Sequence, residues 1–552
     1  MRIPALSLFL AACAAPRDSA DSGPVVHGPD AARVFPIDPV ATPDPVWEDL
    51  PWVAEDAGGA LTGAADADGV RLLQAFSCED EGETTLIMGY GTLRVCTLRQ
   101  RASKEERGDF DYEDWDAALA GEPDPHDVHA EVALYFHAAR AYALLLDPDV
   151  GLYERLPGIH EVGGDPAPLT LVANYRAPTV GEDIPLQPTA TAFHLTNADL
   201  ALGMDDFSGL PGLRGDVLAF GQGPHADFAM DGQTVAHELG HAVSAAVGGF
   251  GYRIDADEQG MNNLANALDE AISDTWAALV SGRPALFAYL DTVEGGYGRD
   301  LTGDAVFPEC MEGLAPFDGL AISGAHWDLY RHLAAEEGTS AAGFARLLLL
   351  TLEACDGQPA TLAGWADTLL EVLVQEGLGD RVEAARALLT ARGLYATERA
   401  RSLEGALDGV LLVSGAVQAP WNTWLEGDLG DGPQAFTTAF VQLVSAPDED
   451  LEARELSMDL AGMPGEMASD PTDWQPLLLL RDGAPVRYEE QGDGTWTVTA
   501  DEVLPAILAP GPAGTRVRWT LPAQDLGQRR YLHLVNTGDA AFLAWGMQLG
   551  AS

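Results

Sequence analysis

The patterning of the chain predicts an α+β protein, on three observations. Runs that alternate like strands fall at Val70–Phe76, Thr84–Met88, Leu93–Leu98, Leu169–Tyr175, Ala190–Leu195 and Val217–Gly221. A block of helical periodicity occupies 285–394. From 400 to 552 the chain returns to short alternating runs cut by Gly, Pro and Asp turns. With 552 residues the chain is too long for one core, and two to four domains are expected. The expected order is a signal peptide over 1–12, a disordered tether over 13–45 and a small module or pro-segment over 46–124. A mixed domain over 125–395 and a β-sandwich over 396–552 follow.

The first residues read as a targeting segment. Arg2 is a minimal basic region, and Ile3 to Leu10 is an apolar core too short to span a bilayer. Leu10-Ala11-Ala12-Cys13 looks like a bacterial lipobox, with cleavage before Cys13 and lipid on its sulfur; an ordinary signal peptide cut near Ala15 is the other reading. Ala14 follows the cysteine, and by resemblance to bacterial lipoproteins the mature chain is expected on outer-membrane lipid, at the cell surface or the periplasmic face. Residues 14–45 are rich in Pro, Asp, Ala and Ser without periodicity, the composition of a tether. Apart from Cys13, the cysteines are Cys78, Cys96, Cys310 and Cys355, an even number that suggests disulfides in an exported protein. The most local pairing joins Cys78 to Cys96 and Cys310 to Cys355, one of three possibilities.

Val128–Leu146 reads as a long amphipathic helix, with His137 a helix-face residue rather than a ligand. Thr234 to Val247 carries His237-Glu238-Leu-Gly-His241 within apolar neighbours. Imidazoles four apart on a helix share one face. They can hold Zn²⁺ at roughly 2.0–2.1 Å each. Glu238 lies beside them, placed to take a proton from an activated water. On its own the motif also suits a buried helix with two satisfied histidines. A second buried helix, Leu268–Val280, carries Glu270 and Asp274 one turn apart. Glu270 can complete three ligands and leave a fourth position open, and Asp274 can accept the outer N–H of a ligating histidine. A metzincin extension would need glycine and histidine where the chain has Ser244 and Val247, so that class is excluded.

His237-Glu-Leu-Gly-His241-Ala-Val with Asp269-Glu270-Ala-Ile-Ser-Asp274 resembles the thermolysin-like zinc metallopeptidases and their fungalysin-like relatives. The resemblance implies a two-lobed domain, with a β-rich first lobe, a helical second lobe and the cleft between them. It implies His237, His241 and Glu270 as zinc ligands, Glu238 as base and Asp274 behind a ligand. Tyr252 stands eleven residues after His241, where such enzymes carry an oxyanion-holding tyrosine. Thr191-Ala192-Phe193 matches their substrate-pairing edge strand, with Thr191 in place of Asn. The family's oxyanion histidine has no direct counterpart. His326, in Ala325-His326-Trp-Asp-Leu329, either substitutes for it or packs on a helix face.

After the first motif, Asp255, Asp257 and Glu258 form an acidic loop, open to two readings: a Ca²⁺ site or a solvated turn. Helices are expected at Ala285–Thr292, Ile322–Ala335, Ala341–Glu353, Thr361–Glu376 and Arg381–Arg392, and strands at Trp496–Thr499, Arg516–Leu521, Tyr531–Val535 and Ala541–Gln548. The charge is lopsided, 86 Asp and Glu against 30 Lys and Arg, net −56. Such a surface repels nucleic acid and anionic headgroups. Two functions follow as expectations: a zinc endopeptidase acting on peptide or protein substrates, or a peptidase-like surface lipoprotein that works by binding.

Overall fold

The computed structural model describes residues 31–551. It omits 52, 56–60, 66–70, 88–90, most of 104–125, 152–160, 163–164, 167, 182–183 and most of 197–214. Also outside it are 249–253, 356–360, 407–410, 414–423, 427–433, 436, 463–474, 492–494, 512–513 and 538–541. Helix and strand contribute 35% and 33%, an α+β composition. Two compact units form: residues 1–248, 273–299 and 337–353 in the first, and 249–272, 300–336 and 354–552 in the second.

The first unit is built on one eight-stranded sheet. Its strand order is Ala192–Leu195, Val217–Gly221, Leu169–Ala177, Arg71–Glu79, Leu61–Ala65 and Val53–Glu55, with Gln187–Pro188 and Thr97–Arg99 paired at its flanks. Leu169–Ala177 runs parallel to both neighbours, and seven of its nine residues are buried, the near-continuous apolar run that a sheet covered on both faces requires. Residues 46–124 therefore supply strands to the same sheet as Leu169–Ala177, rather than a module standing apart. Cys78 and Cys96 are disulfide-bonded and buried beside Val172, Tyr175 and Val217.

Helix α1, Val128–Leu145, packs on Arg71–Glu79 and Leu169–Ala177, and on α2, Gly232–Val247. Asp127 caps α1 by accepting from Ala130 N at 3.2 Å. Residues 31–45, within the stretch 13–45 expected as tether, hold a strand and buried side chains. Ala31–Val34 pairs antiparallel with Val46–Asp49, Phe35 is buried against Ala133 and Met230, and Ile37 O accepts from Gly232 N at 2.8 Å. This segment thus closes over the first turn of α2.

In the second unit, helices Leu320–Glu337 and Leu362–Gln375 follow the expected positions, as does Val382–Ala391. The C-terminal β region forms three sheets, of six, five and four strands, where one two-sheet sandwich was expected. Alternation is clear on Gly514–Leu521, with Val517, Trp519 and Leu521 buried. Arg530–Asn536, central in the six-stranded sheet, is buried throughout. Cys310 and Cys355 carry free thiols, which corrects the second expected disulfide. Neither sits as a fixed partner for the other: one lies in a turn, the other at the end of Ala341–Cys355.

Candidate metal centre

Sequence forces α2 to start and stop where it does. Asp231 Oδ1 accepts from Gln233 N at 2.9 Å and Thr234 N at 3.2 Å, filling two of the unpaired donors of the first turn. Burial, reinforced by Asp38, pushes the Asp231 carboxyl up to about 7. Gly248 closes the other end with a left-handed φ of 106°. Between them Val235, Ala236, Leu239, Ala242 and Val243 are buried, and His237 and Glu238 with them. Helix α3, Leu264–Ser281, starts where Asn262 Oδ1 accepts from Leu264 N at 2.8 Å.

Gly240 lets the two helices touch. A Cβ there would lie 2.7 Å from Ser273 Cα. Ser273 stands between Glu270 and Asp274 on α3, so close approach brings both carboxylates to the HExxH face. The ligand atoms of His237, His241 and Glu270 all lie within 4.8 Å of one another, and among the described residues no other such cluster forms. His237 is buried and His241 and Glu270 half-buried.

The donor set fits zinc. His237 Nε2 and His241 Nε2 face each other at 3.1 Å. Tetrahedral Zn–N bonds of roughly 2.0–2.1 Å would separate two nitrogens by about 3.3 Å. Asp274 Oδ1 lies 3.0 Å from His237 Nδ1, somewhat off the in-line direction of the ring N–H, and 3.3 Å from Arg299 Nη1. The carboxylate favours the proton on Nδ1, which leaves Nε2 a lone pair. Two lone pairs at 3.1 Å repel unless a proton or a cation lies between them. One carboxylate and two imidazoles are the borderline donors that zinc takes.

Phe287 and Arg299, which no motif marks, also reach this group. The Phe287 ring stands edge-to-face with His237, centroids 5.5 Å apart, and Arg299 stacks over the same ring at 4.5 Å. No spacing rule links residues 50 and 62 positions beyond His237, because loops bring them in.

The other expected residues are distributed differently. Tyr252 and Cys13 lie outside the described residues. His326 is fully buried on Leu320–Glu337, and its Nε2 accepts from Trp365 Nε1 at 3.0 Å. That contact favours the packing alternative over the oxyanion one: the ring nitrogen is engaged by the helical core, and burial lowers its proton affinity to a pKa of about 3. Asp257 pairs with Arg399 through both carboxylate oxygens, and Glu258 pairs with Arg487 at 3.2 Å. The acidic loop is therefore tied to the β region by arginines, which engage two of the three carboxylates offered as a Ca²⁺ site. No family model matches the chain, and no curated protein matches it.

Proposed function

We propose that the chain is a zinc-dependent endopeptidase, with His237, His241 and Glu270 holding the metal. The observation that carries this reading is their convergence at ligand distance with Asp274 behind His237. Bound zinc would supply a Lewis acid that polarises a scissile carbonyl and acidifies a water molecule. Glu238, next along α2 from His237, takes the proton of that attacking water and passes it to the leaving amine. Asp274 Oδ1, 3.0 Å from His237 Nδ1, favours the tautomer with its proton on that nitrogen, and Arg299 Nη1 lies 3.3 Å from the same oxygen. Ala192–Leu195 ends its sheet on one side among the described residues, an edge on which an extended peptide can add as a strand.

The mature protein is an outer-membrane lipoprotein in this reading, attached through Cys13, and a Cys13→Ser chain that stays in the membrane fraction would exclude that. The second reading, a peptidase-like binding protein, is favoured by His326, whose engagement with Trp365 leaves one oxyanion donor fewer. Such a donor is typically worth about 10²–10³ in rate. One experiment separates the readings: zinc content and casein hydrolysis of purified protein, with and without chelator. Zinc at one per chain with chelator-sensitive hydrolysis is expected, and Glu270→Gln should lose most of the metal with the fold intact. Zinc without hydrolysis would leave the binding protein, and no zinc in protein made with zinc present would end both readings.

A further inference from the structure

We infer that Phe287 is a positioning residue for His237, holding the imidazole at the tilt that metal binding needs; this rests on the zinc centre proposed above. Phe287 sits between α3 and a short helix, α4, Ala288–Val293, with a φ of 58°. Left-handed backbone is uncommon for any side chain but glycine and is an outlier for a bulky one. Such a conformation persists only where the surroundings impose it, and here they do. Phe287 N donates to Gln233 Oε1 at 3.0 Å, while Gln233 Nε2 donates to Ser281 Oγ and Ala285 O, each at 3.1 Å. Gln233 belongs to the first turn of α2, the helix that carries His237 one turn further on. One side chain of α2 therefore sets the backbone that aims the Phe287 ring back at α2.

The ring has a task that Asp274 cannot perform. A contact at Nδ1 fixes one direction of the imidazole and leaves it free to tilt about the Nδ1–Oδ1 line. The Phe287 ring, 89° from the plane of His237 with centroids 5.5 Å apart, blocks that tilt. Arg299, stacked over the Phe287 ring 4.5 Å from its centroid, holds Phe287 in turn, and its guanidinium closes the circuit at Asp274. His237, Asp274, Arg299 and Phe287 form a closed ring of contacts. Its result is the aim of His237 Nε2 at the point that His241 Nε2 also faces, 3.1 Å away.

The test removes the ring, in one variant keeping apolar volume and in the other keeping only the backbone. Phe287→Leu and Phe287→Gly are purified without metal, titrated with Zn²⁺ against a chromophoric chelator, and loaded with Co²⁺ for visible spectra. Glycine takes a φ of 58° without strain, so the second variant removes the ring without asking the backbone to bear it. Both variants should bind zinc about 10- to 100-fold more weakly than wild type. Their Co²⁺ bands should lose intensity or shift, a change that loss of packing remote from the ligands would not cause. Wild-type zinc affinity and an unchanged Co²⁺ spectrum in Phe287→Leu or Phe287→Gly would overturn the inference alone. Failure of the wild-type protein itself to take up zinc would overturn the metal centre, and this inference with it.

Discussion

Gly240→Ala sets two effects of opposite sign against each other. Alanine in a helix interior is favoured over glycine by about 1 kcal/mol. The added methyl would lie 2.7 Å from Ser273 Cα and 3.1 Å from its Cβ and Oγ. Carbon atoms in contact prefer roughly 3.5–4.0 Å, so α3 would have to retreat from α2 by about 1 Å. The atom in the way is backbone, not the end of a flexible side chain. Overpacking of this kind costs about 1–3 kcal/mol, which outweighs the gain in propensity. The larger consequence is at the ligands. Glu270 and Asp274 flank Ser273 on a rigid helix, and metal–ligand distances tolerate only about ±0.2 Å. Gly240→Ala should therefore lower the melting temperature of the metal-free protein and weaken zinc binding by at least about tenfold. Gly248→Ala is the control. No atom lies within 4 Å of a Cβ there, so it strains only the left-handed cap and should leave zinc affinity near wild type. A Gly240→Ala protein as stable as wild type, with unchanged zinc affinity, would refute the close crossing of α2 and α3.

Glu238→Ala should abolish peptide hydrolysis while zinc stays bound, since the carboxylate is not a ligand; loss of the metal on dialysis would contradict that role. His326→Ala removes a buried ring and its contact with Trp365, so thermal melts should show a loss of about 1–3 kcal/mol, with turnover near normal. A steep fall in kcat at constant Tm would restore the oxyanion role. Glu131 accepts from Ser77 Oγ, Arg101 N and Ala102 N, yet burial outweighs those bonds and pushes its carboxyl up to about 7. A raised folded pKa contributes stability fully present below the unfolded value and lost as pH rises through about 7. Glu131→Gln should therefore lose less stability than wild type between pH 5 and pH 7 in urea melts, and parallel curves for the two proteins would contradict this.

Local pattern made much of this legible. The apolar flanks of His237 and His241 announced α2, and the apolar stripe around Glu270 and Asp274 announced α3, because both helices are buried on the faces their periodicity marks. Val217–Gly221 was readable to the residue, and Val128–Leu145 to within one. What stayed hidden was carried by distance along the chain. Arg71–Glu79 pairs with Leu169–Ala177 almost a hundred residues later, and nothing in either strand names its partner. Residues 31–38 looked like tether by composition, but Val34 and Phe35 find a surface made by α1 and the turn before α2. Asp257 and Glu258 left a Ca²⁺ site and a solvated turn both open, because their arginines, Arg399 and Arg487, lie more than 140 and almost 230 positions away.

The segment over residues 31–38 gives the metal helix a handle. Ile37 O holds Gly232 N, and Phe35 lies against Ala133 and Met230 just ahead of α2. Gly232 stands five residues before His237, so a cut or a pull in this segment would loosen the start of the helix that carries both imidazoles. Strain there reaches the two rings without touching either.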